Sequence, residues 1–150
     1  MPLFRTIIQQ SIALGDHLDK YLSPVLFLGL RIWVGMIFFR SGLQKLEDWD
    51  NTLDLFQYEY AIPFLPHSFA AYSATFFELI AAPLLMVGFL TRLSAFPLLG
   101  MTIVIQLTYL QHEHHYAWGT VLLLIILKGP GALSLDQLVQ CWSSKKKSRA

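Results

Sequence analysis

Four stretches of this chain are too long and too apolar to belong to a small water-soluble fold. They occupy residues 24–46, 68–90, 93–111 and 116–128. About 20 apolar residues in a helix cover the roughly 30 Å hydrocarbon layer of a bilayer. The fourth run is short and reaches that length only if it continues through the following GPGAL. Composition agrees: 55% of the 150 residues are hydrophobic and 14% charged, where soluble domains carry about 25% charge. With 11 basic and 10 acidic residues, a domain this small cannot cover its surface with polar groups. The expectation is an all-α integral membrane four-helix bundle. Pro83 and Pro97 fall inside the second and third runs, where each removes a backbone donor.

The basic residues near the run ends predict direction. Arg5 and Lys20 precede the first run, Arg92 lies between the second and third, and Lys145, Lys146, Lys147 and Arg149 follow the last. Residues 47–67 contain no Lys or Arg but carry Glu47, Asp48, Asp50, Asp54 and Glu59. Both termini are therefore expected in the cytoplasm, in a multi-pass protein of the inner (plasma) membrane. Residues 1–10 lack the pattern of a cleaved signal. Residues 1–22 read as an interfacial amphipathic helix, with Leu3, Ile7, Ile8, Ile12, Leu14 and Leu18 set against Gln9, Gln10, Asp16 and Lys20. The expected organisation is that helix at 1–22, a membrane domain at 23–140 and a basic tail at 141–150.

Charge and cysteine usage exclude some functions. A net charge of +1 supplies no face for nucleic acid. The single cysteine, Cys141, cannot form an internal disulfide or a CxxC relay, which rules out a thiol oxidase built on paired cysteines. Ser134 and Gln137 form an S-x-x-Q signal that restarts a helix after Gly129-Pro130-Gly131.

Ionisable groups inside the apolar runs are the functional candidates, because one in hydrocarbon costs about 2.5–3.5 kcal/mol even on the mildest scale. They are Arg31, Arg40 and Lys45 on the first run and Glu78 on the second, with the polar Gln106 on the third. Counted from the outer ends, Lys45 sits at the interface, Gln106 and Arg40 about 8–9 Å down, Glu78 about 15 Å and Arg31 about 22 Å. Arg31, Gly35, Gly42 and Lys45 share one helix face, which the glycines open to a neighbouring helix. Two readings stay open and can coexist. In one, Arg31 and Glu78 pair and fix helix register; in the other, Glu78, Lys45, Arg40 and Gln106 wall a polar pocket in the outer leaflet. Arg40, half a turn from Arg31, either lines that pocket or reaches outward to headgroups. His112 and His115, with Glu113 and His114, could meet a transition metal, but the short loop offers no defined fourth ligand, so no metal site is assigned. The aromatic residues Trp33, Trp49, Tyr58, Tyr60, Tyr109, Tyr116 and Trp118 suit a membrane belt.

Three blocks, LRIWVGMIFFRSGLQKL, FELIAAPLLMVGFLTRLSA and GPGALSLD, together resemble the signature of the DoxX family of membrane proteins. The matching positions are Arg31, Gly35, Gly42, Lys45, Glu78, Gly88, Thr91, Arg92, Gly129, Pro130, Gly131, Ser134 and Asp136. WDNTLDLFQYEYAIPFLP further resembles the subgroup encoded beside enzymes that modify metal-binding peptides. The resemblance implies a four-helix membrane fold and a link to redox systems, since relatives called DoxD belong to a thiosulfate:quinone oxidoreductase.

Together these readings predict an accessory subunit of a membrane redox system, more than a stand-alone enzyme. Its outer-leaflet pocket would take a quinone or similar small molecule, with Lys45 and Arg40 holding oxygen or anionic groups and Glu78 as counter-ion or proton acceptor. The expected partners are the lipid bilayer and a membrane or periplasmic redox protein. The alternatives are support for transport or export of a small solute, metal or peptide, and a non-catalytic scaffold.

Overall fold

Why the apolar runs become helices follows from what surrounds them: in lipid each backbone N–H and C=O must find its partner within the segment. The computed structural model describes residues 2–60, 62, 65–108 and 113–147, and no strand occurs among them. Six α-helices follow one another: α1 (Pro2–Glu47), α2 (Trp49–Asp54), α3 (His67–Val87), α4 (Thr91–Thr108), α5 (Glu113–Lys128) and α6 (Leu135–Lys147). A π-helical turn, Leu55–Tyr60, continues directly from α2.

Helices α1, α3, α4 and α5 pack as a four-helix bundle, α1 on α3, α3 on α4, α4 on α5 and α5 back on α1. The core draws on all four: Val34 and Phe38, then Ala81, Ala82 and Leu85, then Ala95 and Leu98, then Leu122 and Ile125. Backbones of α1 and α3 come close where glycine leaves room. A Cβ on Gly35 would lie 2.5 Å from Met86 Cγ, and one on Gly42 would lie 2.9 Å from Glu78 Cβ. These contacts fix an antiparallel register in which residue 42 of α1 is level with residue 78 of α3. At the other end, Gly131 meets Phe27 and Gly88 meets Arg31. The terminal-side end of the bundle is thus built from residues near 27–31, 88–92 and 129–136. From Phe27 to Glu47 is about 30 Å of helix, the thickness of the hydrocarbon layer.

The ends have local causes. Gly88 is left-handed (φ 73°, ψ 39°), and Phe89 N–H donates to Leu84 C=O at 3.0 Å, the six-to-one bond that closes a helix on glycine. Asp48 caps α2 by accepting from Asn51 N–H at 3.0 Å. Ser134 caps α6 as its motif predicts, accepting from Gln137 N–H at 3.2 Å.

One expectation changes, and one segment gains detail. α1 runs unbroken through Pro24, so the amphipathic segment and the first span are one rod. No left-handed residue or cap interrupts it, and residues 7–22 stay exposed. The fourth run does not extend through 129–133, because Gly129 and Gly131 take φ values of 91° and 77°. The stretch Ile7–Glu47, α3 and α4 are each long and apolar enough to cross a bilayer. At 16 residues, α5 is about 24 Å long and falls short of a full crossing.

Candidate functional site

The last two turns of α1 carry Ser41 and Lys45 four residues apart, one above the other on a helical face. Lys45 also suits the negative end of the helix dipole there. Because Gly42 lies between them, α3 approaches closely enough to bring Glu78 within reach. Lys45 Nζ donates to Glu78 Oε1 at 2.9 Å and Oε2 at 2.8 Å. It also donates to Ser41 Oγ at 2.7 Å, and Ser41 Oγ donates to Glu78 Oε1 at 3.2 Å. Glu78 is buried and the Lys45 side chain keeps 14% of its exposure. Both carboxylate oxygens are occupied, so the pair meets the condition under which buried charge is tolerated.

This pair floors a cavity of about 260 Å³ between α3 and α4. Ala74 and Phe77 form one wall, Gly100 and Met101 the other, and Phe56 and Tyr60 reach in from the segment between α1 and α3. Gly100 presents no side chain to it, and a Cβ there would meet nothing within 4 Å. The loop is anchored: Thr52 Oγ1 donates to Lys45 C=O at 3.1 Å, one of the carbonyls a helix end leaves open. Phe56 and Tyr60 stack edge to face at 4.8 Å. Burial, then the nearby Glu78 and Glu59, raise the Tyr60 phenol above its usual range, so it remains a neutral hydroxyl. The arrangement is an apolar slot with one hydrogen-bonding end, suited to a lipid-soluble molecule with a small polar head.

Of the five residues picked from sequence, the structure brings Lys45 and Glu78 together and separates the rest. Arg31 does not pair with Glu78. The two are offset by eleven residues of the α1–α3 register, about 16 Å. Instead Arg31, fully buried, donates through Nη2 to Leu133 C=O and packs against Gly88. The acid coupled to it electrostatically is Asp136. Arg40 is exposed and makes no ion pair or hydrogen bond among the described residues. Gln106 lines a different groove, between α4 and α5, where its Oε1 lies 2.9 Å from His115 Nδ1. His112 lies outside the described residues. Glu113 and His114 are exposed, and His115 sits 5.1 Å from the Trp118 ring.

Sequence reasoning passed over Ser41 and Gly100 and took Tyr60 only as a membrane-belt aromatic. Ser41 had a readable signal, its spacing of four from Lys45. Tyr60 and Gly100 had none, since one is placed by a π-helical turn and the other matters through an absent side chain.

Opposite the cavity, Asp136 binds the start of α4. Its Oδ1 accepts from Leu90 N–H at 2.8 Å, and its Oδ2 from Thr91 N–H at 2.9 Å and Thr91 Oγ1 at 2.7 Å. Burial alone would raise the carboxyl pKa, but the Thr91 and Leu90 donors and the Arg31 charge outweigh it and hold the group below its ordinary value.

Comparison with known proteins matches the arrangement. The family model described as DoxX covers residues 26–111, more than half of the chain. The chain is also similar to a protein of Escherichia coli (strain K12) described as inner membrane protein YphA. They are 33% identical over 133 residues, covering 76% of this chain and 90% of that protein. No solved structure matches. With the match spanning α1, α3 and α4 and covering more than half of its length, the chain belongs to the DoxX family.

Proposed function

We propose that this DoxX protein is a multi-pass protein of the inner (plasma) membrane, with both termini in the cytoplasm, that binds a quinone or similar lipid-soluble molecule beneath its outer loop. In this reading it serves a membrane redox system as an accessory subunit. The similarity to an Escherichia coli inner membrane protein supports the membrane, and the distribution of basic residues supports the direction. In this reading α5, though short, makes the fourth crossing.

One observation carries the ligand reading: the Lys45–Glu78 pair lies at the polar end of an otherwise apolar cavity. The pair is neutral as a unit, so the slot favours a dipolar carbonyl or hydroxyl over an anion, which Glu78 would repel. Lys45 and Glu78 give that end its dipole, and Tyr60 lines the same cavity. A photoreactive quinone analogue in nanodiscs tests the idea. Labelling should fall on Phe77, Gly100 or Met101, and Lys45→Ala should reduce it while the helical content stays intact. Undiminished labelling in Lys45→Ala and Glu78→Gln would remove the pocket.

A ligand-free scaffold is the second reading, favoured by the saturation of Glu78 by Lys45 and Ser41. In that case exchanging the pair for Lys45→Glu with Glu78→Lys preserves folding, and no analogue labels the cavity in the wild-type protein.

A further inference from the structure

A second groove, of about 560 Å³, lies at the terminal-side end of the bundle, away from the cavity. It is formed where the α3–α4 turn meets the segment after α5 and the start of α6. Phe89, Leu93 and Val139 give it an apolar floor, with Arg92, Gln140 and Asp136 at its rim.

The charges there are unbalanced in a definite sense. Asp136 points its carboxylate into three donors of Leu90 and Thr91, and the buried Arg31 offsets its charge from beneath. Arg92 is exposed and has no ion pair or hydrogen bond among the described residues. Its guanidinium stands beside Gly129, where a Cβ would lie 3.2 Å from Nη2. With Asp136 offset by Arg31, Arg92 is the one charge at the rim that no acid among the described residues balances.

α6 supplies the matching apolar surface. Leu135, Leu138, Val139 and Trp142 follow the i, i+3, i+4, i+7 spacing of one helical face, and all four are exposed. That face cannot turn into the bundle. Asp136 N–H donates to Gly88 C=O at 2.9 Å, and with the carboxylate bonds this fixes the rotation of the helix. An apolar helix face beside an unbalanced arginine, at the level where the hydrocarbon layer ends, is complementary to a phospholipid with its phosphate at Arg92 and a chain along α6.

We propose that this groove is a binding site for one anionic phospholipid of the leaflet on the side of the two termini. Arg92 holds its phosphate and the Leu135–Trp142 face of α6 covers its acyl chain. The site is independent of the outer cavity and of any ligand bound there.

Native mass spectrometry of the full chain tests this, after extraction from mixed phosphatidylcholine and phosphatidylglycerol bilayers. The wild-type protein should retain phosphatidylglycerol preferentially. Arg92→Gln should lower that preference about fivefold, the contribution of one basic residue at an anionic surface. Gln140→Glu, an exposed change that leaves Arg92 in place, should lower it as well and guards against misfolding of the first variant. Equal retention of the two lipids by the wild type would overturn the site. So would a preference that survives both variants but disappears when Lys145, Lys146 and Lys147 are changed to Gln, which would place the attraction in the tail. Displacement of the lipid by soluble glycerol phosphate would show an anion site that needs no chain, and would also overturn it.

Discussion

Arg31 of α1 packs on Gly88 of α3 so tightly that any side chain at residue 88 would overlap the guanidinium. The glycine does two things at once: it ends α3 in the left-handed region and leaves the space in which a buried cation reaches Leu133 C=O.

Gly88→Ala should therefore cost more than its backbone strain of about 1–2 kcal/mol, because Arg31 must also leave its place. Thermal unfolding in detergent should show a lowered midpoint, and limited proteolysis should cut first in residues 129–147. An unchanged midpoint would contradict the packing.

Removing one partner of the buried pair should be worse than removing both. Lys45→Met or Glu78→Leu alone strands a charge and should cost about 3–5 kcal/mol, while the double variant should recover most of that loss. A double-mutant cycle on unfolding checks it. Additive losses would mean that the two charges do not interact.

Gly100 faces open space within the cavity. Gly100→Ala should stabilise α4 by up to about 1 kcal/mol, the helix-propensity difference. Gly100→Phe should fill the slot and abolish labelling by a quinone analogue with the unfolding midpoint unchanged. Labelling that persists in Gly100→Phe would place the ligand elsewhere.

The attachment of α6 should be acid-labile. Asp136 titrates below its ordinary value of 3.8 in the folded protein. Its contribution is therefore complete above that value and is lost as pH falls through the lowered one. Hydrogen exchange at the Asp136 amide, which donates to Gly88 C=O, should rise only in that acid window. Asp136→Asn should weaken the attachment by about 1–3 kcal/mol at neutral pH and flatten the dependence.

Much of this was legible in the residues. Three long apolar helices, the Ser134 cap and the α1 face carrying Gly35, Gly42 and Lys45 follow from periodicity and from rules local to one helix. The partner of Glu78 did not. Depth counted from predicted run ends placed it midway between Arg31 and Arg40, but the true register is set by how far two glycines let α3 slide along α1. A shift of a few residues was enough to exchange one cation for another. Asp136 was visible as a matching position of the family blocks. Its pairing with the start of α4 arises from a return of the chain across 45 residues, which no local pattern encodes.

The length of α1 has a mechanical consequence. Its exposed N-terminal half and the turn bearing Lys45 belong to one unbroken helix, so twisting or tilting applied to the free portion is delivered as torque at the far end. Whatever grips residues 7–22 holds a lever whose other arm carries the lysine beneath the segment between α1 and α3.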